Sequence, residues 1–384
     1  MDELDRLLGA ARLEGARRPV GLAETLPPGA YTSPEVYAEE EARIFRREWL
    51  CAGRPDQVPE PGDYVALDLL GHKLVMVRGE DRRVRVISRV CRHRAAELVQ
   101  GRGRARSFSC PYHRWTYRLD GSLLGAPRMD EVGFDRAGCR LPELRTEAWA
   151  GWLFVCFDPD AAPLAPRLAG LEARLTDYRL EDVVADEPLV YDSPFNWKVL
   201  VENFMEAYHH IGTHADTLEP LFPARAASVP DNGGEPWSLL RMPPAARGAA
   251  DEGLPPIEGL PAARRGELVA VCVYPCHLFA LTDASVAWYQ LLPHTADRFE
   301  LRIHTCVPRR VHEDPALVGP RRALRELTAL VHGQDVGACE AVWSGLHSRD
   351  AAPGRLHLLE TAIWQQNQWW IERMRERTGP PDRV

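Results

Sequence analysis

The sequence lacks what would tie it to a membrane or to nucleic acid. Its longest apolar run, Trp149 to Phe157, is far too short to span a bilayer and suits a buried strand. There is no excess of positive charge. Lys and Arg number 47 against 55 Asp and Glu, a formal net charge of −8, which argues against an anionic membrane or a nucleic acid as main partner. The beginning, Met1-Asp-Glu-Leu-Asp5, has neither a basic nor an apolar segment of the kind that directs secretion. Nucleotide fingerprints are also missing: no Gly-x-Gly-x-x-Gly and no P-loop occur, so the chain is not expected to bind NAD or flavin itself. The nine cysteines are odd in number and scattered, which is not a disulfide framework and implies a reducing, cytoplasmic setting.

What is present is a mixed pattern. Residues 3–13 and 33–50 have helical periodicity, with Ser33-Pro34 as a helix start. From Gly62 the chain reads as short Val/Leu-rich strands: Asp63–Leu70, Lys73–Arg78, Val84–Arg89, Thr116–Leu119 and Trp152–Phe157, with Asp120-Gly121 as a hairpin signal. The segment 160–190 reads as a connector with one helix, and Val199–His210 as a helix. Pro and Gly crowd Val229–Leu260, which reads as a long loop or lid. Glu267–Phe279, Ser285–Pro293 and Phe299–Val307 read as strands; Pro315–His332 and Gly354–Met374 read as helices. The expectation is an α+β chain in three parts: a helical segment over 1–44, an all-β domain over 45–160 and a larger domain over 161–384 with an antiparallel sheet.

Two Cys–His pairs stand out. Cys91-Arg-His93 is followed after sixteen residues by Cys110-Pro-Tyr-His113. Two thiolates and two imidazoles can close a structural zinc site, or can hold a [2Fe–2S] cluster with both sulfurs on one iron and both histidines on the other. The one-residue gap in Cys91-x-His93 is unusual for zinc. A second cysteine group, Cys272-Val-Tyr-Pro-Cys276-His277, lies in an apolar stretch and reads as packing. The basic Gly101-Arg-Gly-Arg-Ala-Arg106 reads as a solvated loop or a docking surface for an acidic partner protein.

Further on, Glu202-Asn203 leads into Glu206-Ala-Tyr-His209-His210-Ile-Gly-Thr-His214. Three histidines within six residues, one turn after a glutamate, suit a metal better than a solvated face. On a straight helix His210 shares a face with His214 and His209 does not; Gly212 can distort the helix and reverse that choice.

These motifs carry a resemblance. Cys-x-His with Cys-Pro-Tyr-His-Arg-Trp-Thr-Tyr117 and Asp120-Gly121, preceded by Ile44-Phe-Arg-Arg-Glu-Trp49, resembles the Rieske domain of ring-hydroxylating and demethylating oxygenases. It departs at Arg94-Ala95-Ala96, where the family commonly carries His-Arg-Gly after the first cysteine. Asn196-Trp197-Lys198, Glu202-Asn203 and Glu206…His209…His214 resemble the same family's mononuclear iron motif. Gly333-Gln334-Asp335…Glu340 resembles its third-ligand segment, so Asp335 is the expected carboxylate ligand and Glu340 its alternative.

The resemblance implies an N-terminal Rieske domain and a helix-grip catalytic domain, an antiparallel sheet folded around a long helix. It implies a cluster on Cys91, His93, Cys110 and His113 and a mononuclear Fe(II) on His209, His214 and Asp335. Glu206 and Asn203 become catalytic candidates. Glu206 stands where the family has a bridging acid between a ligand histidine and a Rieske histidine of the neighbouring subunit, more often Asp. The implied activity is hydroxylation or demethylation of a small aromatic, N- or O-methyl or quaternary ammonium compound with O2. Electrons would arrive from a ferredoxin and/or a flavin reductase, and a head-to-tail homotrimer is expected. Phe204, Met205, Trp237, Tyr289 and Trp343 are candidate pocket residues. The rival readings are a zinc-stabilised scaffold and a Rieske electron carrier without oxygenase activity.

Overall fold

The computed structural model describes residues 3–245 and 253–376. It divides into two compact units, Trp49–Ala162 and a larger one made of Met1–Glu48 with Pro163–Val384.

The smaller unit is almost all β. Strands β1 (Leu50–Gly53), β2 (Asp63–Leu69), β3 (His72–Arg78), β4 (Val84–Ser88), β5 (Arg102–Arg104), β6 (Phe108–Ser109), β7 (Thr116–Tyr117), β8 (Leu123–Gly125), β9 (Arg145–Trp149) and β10 (Trp152–Cys156) form three antiparallel sheets. Their orders are β4-β3-β2-β5, β6-β7-β8 and β1-β10-β9. The run Trp152–Cys156 is buried throughout, as its unbroken apolar sequence requires. At the β7–β8 turn Gly121 takes φ +84°, and Asp120 accepts from the Ser122 N–H at 2.9 Å. Val75, Val77, Ile87, Phe108, Tyr117 and Leu141 build one core, and Cys91 and Cys110 belong to it. The arginines of β5 are exposed.

In the larger unit β11 (Val183–Ala185), β12 (Leu189–Ser193), β13 (Trp237–Met242), β14 (Leu268–Val273), β15 (His277–Leu281), β16 (Val286–Thr295) and β17 (Arg298–Pro308) form one antiparallel sheet. The order is β11-β17-β16-β15-β14-β13, with β12 also on β17. A long helix, Val318–Leu346, packs on β17 and on the helix Trp197–Phe204, and the helix Thr361–Arg375 packs on β13. This is the expected α+β architecture.

Several local expectations fail for physical reasons. Helix does not reach residue 50, because Leu50 already pairs with Val155. The segment 160–190 carries two short helices and the start of the sheet. The supposed lid contains β13, whose residues pair in register with β14; residues 246–252 of that segment lie outside the described ones. Glu267–Phe279 is two strands, broken by a turn at Tyr274-Pro275. The helix expected to end at His332 continues to Leu346, so Gly333 and Gly337 lie inside it, where a glycine weakens a helix without ending it. No helix among the described residues is long and apolar enough to cross a membrane.

Candidate metal centres

The first constellation sits on two matching loops. In each, the residue four after the cysteine takes a left-handed backbone: Ala95 at φ 56° and Arg114 at φ 60°. The turn closes with Ala95 N–H to Cys91 O at 3.1 Å and Arg114 N–H to Cys110 O at 3.1 Å. Each loop therefore presents a Cys and a His from one tight bend. The His93 and His113 rings lie 4.7 Å apart, with His93 stacked on Trp115 at 4.9 Å. On the sulfur side the Tyr117 hydroxyl lies 3.4 Å from Cys91 Sγ. The His113 Nδ1 is sealed from solvent with no protein partner. A buried ring nitrogen without a partner is costly unless a ligand takes it. With two thiols and a second imidazole alongside, the donor set fits a [2Fe–2S] centre of the mixed Cys/His type.

The second constellation begins where a helix ends. Asn196 caps the helix Trp197–Phe204 through the Lys198 N–H at 3.0 Å and donates to Ala296 O at 2.7 Å. Lys198 and Trp197 both bond to Glu40, which is fully buried, and Trp370 donates to it at 2.7 Å. Asn196-Trp197-Lys198 is therefore an anchor for this helix. The helix stops at Phe204, and a single tighter turn, Tyr208–Ile211, follows. That break removes the straight-helix argument for His210. His210 instead turns its Nδ1 to Phe222 O at 3.2 Å. Burial, aided by neighbouring His209, lowers its pKa to about 4.

His209, His214 and Asp335 converge, with their donor atoms all within 4.8 Å of one another. Asp335 Oδ1 lies 2.9 Å from His214 Nε2 and 3.5 Å from His209 Nε2. The opposite nitrogens are both engaged: His209 Nδ1 with Glu206 at 2.6 Å and His214 Nδ1 with Gln334 at 2.8 Å. Each ring is thus oriented by a second residue, as metal-ligating histidines usually are. Burial raises the Asp335 carboxyl, but the two rings outweigh it and hold it at about 2. Burial lowers His209, and Asp335 with Glu206 overcomes it, raising the ring to about 9. Two imidazoles and a carboxylate on one side of a cavity suit a metal with open positions.

That cavity, of about 400 Å³, is lined by Asn203, Phe204, Glu206, His210 and Tyr289 besides the triad. Among the other pocket candidates, Met205, Trp237 and Trp343 do not line it.

The family models agree with this geometry. The Rieske [2Fe-2S] domain matches residues 48–144, and the ring hydroxylating alpha subunit (catalytic domain) matches residues 180–376. The chain belongs to the ring-hydroxylating alpha-subunit family. Its cofactors are a Rieske [2Fe–2S] cluster and a mononuclear iron.

Among similar proteins of this family, a carnitine monooxygenase oxygenase subunit of Acinetobacter baumannii is 37% identical over 192 residues, 49% of this chain and 52% of that protein. A glycine betaine monooxygenase oxygenase subunit of Chromohalobacter salexigens is 34% identical over 199 residues, 51% of this chain and 44% of that protein. The chain spans about half the length of the curated relatives it matches. A solved quaternary ammonium Rieske monooxygenase, a protein linked to inter-subunit electron transfer, superposes with a TM-score of 0.80 at 25% identity, covering 94% of this chain and 97% of that one.

The sequence reading passed over Gln334 and Glu40. Gln334 was visible as the neighbour of Asp335, but its role depends on a helix that runs on through it. Glu40 had no local signal, because its partners lie 157, 158 and 330 positions away.

Proposed function

We propose that this chain is the oxygenase component of a Rieske oxygenase that hydroxylates or demethylates a small organic molecule with O2. Its electrons come from NAD(P)H through a separate ferredoxin and/or flavin reductase. The observation that carries this is the His209/His214/Asp335 triad, two of its members buried and His209 half-buried, in the lining of an apolar cavity. Cys91, His93, Cys110 and His113 hold the cluster in this reading, and the triad holds the iron. When bound, the cluster supplies single electrons and the iron supplies the site where O2 is reduced.

The chain's own residues do the rest. Glu206 and Gln334 fix the ring orientations of His209 and His214. Glu206 is also the group that would join His209 to His113 of a second copy in a head-to-tail trimer. Asn203 lines the cavity beside Glu206 and is positioned to contact substrate.

Metal and acid-labile sulfide analysis with electron paramagnetic resonance tests the proposal. The expected protein is red-brown, with a Rieske signal and one further iron per chain. Zinc in place of iron and sulfide would return the chain to the scaffold reading; a cluster without the extra iron would make it an electron carrier.

A further inference from the structure

Resting on the oxygenase reading, we infer that the cavity is built for an uncharged, largely apolar substrate and selects against carboxylates and zwitterions.

One wall is a row of methyl groups. Ala270 pairs with Ala280, and Ala280 pairs with Ala287, so three alanines stand side by side on β14, β15 and β16. All three face the cavity. Adjacent strands lie about 4.8 Å apart, so the row forms a smooth strip roughly 10 Å long. A second wall is a helical stripe. Leu324, Leu327 and Val331 follow one another at three- and four-residue steps along the long helix and end at Asp335. The result is a slot with an alanine face, a leucine-rich face and the metal triad in its lining.

The slot offers little to a charged group. Among the described lining residues there is no Lys or Arg. The lining acids are Glu206 and Asp335, and both already face the histidines. The threonine and serine hydroxyls are spent locally: Thr328 on Leu324 O at 2.9 Å, Thr217 on Gln334 at 2.9 Å, and Thr282 and Ser285 on each other at 3.0 Å, which leaves the uncharged Asn203 amide and Tyr289 hydroxyl to meet a neutral polar group. A carboxylate held along these walls, away from the metal triad, would give up water for no side-chain counter-charge, and at the triad the carboxylates of Asp335 and Glu206 already balance a divalent ion, so its entry is unfavourable. A bare ammonium would meet no unengaged acid. An uncharged body with a flat or extended apolar face loses nothing polar and covers the alanine strip.

Anaerobic calorimetry on the iron- and cluster-loaded protein decides the matter. Methyl naphthoate and naphthoate share a shape and differ in charge; L-carnitine and glycine betaine are the zwitterions. The ester should bind at least tenfold more tightly than naphthoate, and neither zwitterion should give measurable heat. Naphthoate, carnitine or glycine betaine binding as tightly as the ester overturns the inference. Ala280→Leu should weaken the ester at least tenfold with iron and sulfide contents unchanged; unchanged ester affinity also overturns it. Leu327 is 46% exposed, so Leu327→Arg should be tolerated, and it should shift the preference roughly tenfold towards naphthoate. No shift counts against the slot. Iron and sulfide are measured first on the same sample: their absence defeats the oxygenase reading, whereas a loaded protein that prefers carboxylates defeats only this one.

Discussion

The two metal centres are assembled in opposite ways. The cluster loops draw every donor from one short stretch, Cys91 to His113, and the two cysteines are also part of the hydrophobic core of their unit. The iron triad joins a helix end to a long helix, with His214 and Asp335 lying 121 positions apart. Its ligands lie on a cavity wall, and other residues hold the surrounding framework. A site of the first kind cannot lose a ligand without disturbing the core. A site of the second kind can lose its metal and keep its fold. Both consequences can be measured.

The largest expected effect separates them directly. Asp335→Ala should abolish turnover and remove the extra iron, while the cluster spectrum and the melting temperature of the larger unit stay close to those of the parent. Cys110→Ala should remove the cluster and lower the melting temperature of the smaller unit, since binding free energy there is also folding free energy. Metal content with calorimetric melting checks both. If the extra iron stays in Asp335→Ala, the third ligand is elsewhere, and Glu340 is next to test.

The framework of the larger unit rests on Glu40 more than on any ligand. It is fully buried and accepts from Lys198, Trp197 and Trp370, and burial lowers the Lys198 pKa. Removing one partner of such a pair leaves a buried charge, at a cost of about 3–5 kcal/mol. Glu40→Ala should therefore unfold the larger unit at markedly lower denaturant. A loss below about 1 kcal/mol would show that water reaches Lys198.

Glu206→Gln comes next. The amide can still accept from the His209 N–H but carries no charge, so both metals should remain while turnover falls roughly 100-fold. Normal product formation in single-turnover assays would remove Glu206 from the proposed bridge.

Glu202 gives a smaller effect that depends on pH. Burial raises its carboxyl to about 7, although the Tyr31 hydroxyl donates to it at 2.7 Å. Between the ordinary carboxylate value, near 4, and about 7, the folded chain holds one proton more than the unfolded chain. Its contribution to stability is therefore greatest below that window and falls as pH rises through it. Glu202→Gln should flatten the decline and leave the chain about 1–2 kcal/mol more stable at pH 8, allowing for partial exposure. Parallel stability profiles from pH 4 to 8 would contradict this.

The same contrast explains what could be read from the sequence. Cys91-x-His93 and Cys110-x-x-His113 were legible because tight loops are local and their spacing is their geometry. Asp335 was reached only through resemblance, since no spacing connects it to His214. The choice between His209 and His210 was open for a related reason: it depends on the helix stopping at Phe204, which periodicity does not reveal. Strands β2 to β4 fall within a residue of the Val/Leu-rich segments that Gly and charged turns separate. β13 was missed because Pro and Gly on either side of Trp237–Met242 outweighed a short segment, interrupted by Ser238 and Arg241, whose partner strand begins at Leu268. Helix and sheet content thus followed local patterns, and the iron site followed contacts that only folding creates.

The smallest expected effect lies in the local site and runs towards stability. Ala95 has φ 56°, a conformation that costs a side chain about 1–2 kcal/mol and costs glycine almost nothing. Glycine also makes the unfolded chain more flexible, which takes back roughly 0.4–1 kcal/mol. Ala95→Gly should therefore stabilise the smaller unit by about 0.5–1 kcal/mol. Arg114, at φ 60° in the twin loop, should respond to glycine with the same sign. Bleaching of the visible cluster absorption on heating reports both variants. If either bleaches at a lower temperature than the parent, the two loops are not held by matching bends, and the cluster itself imposes their shape.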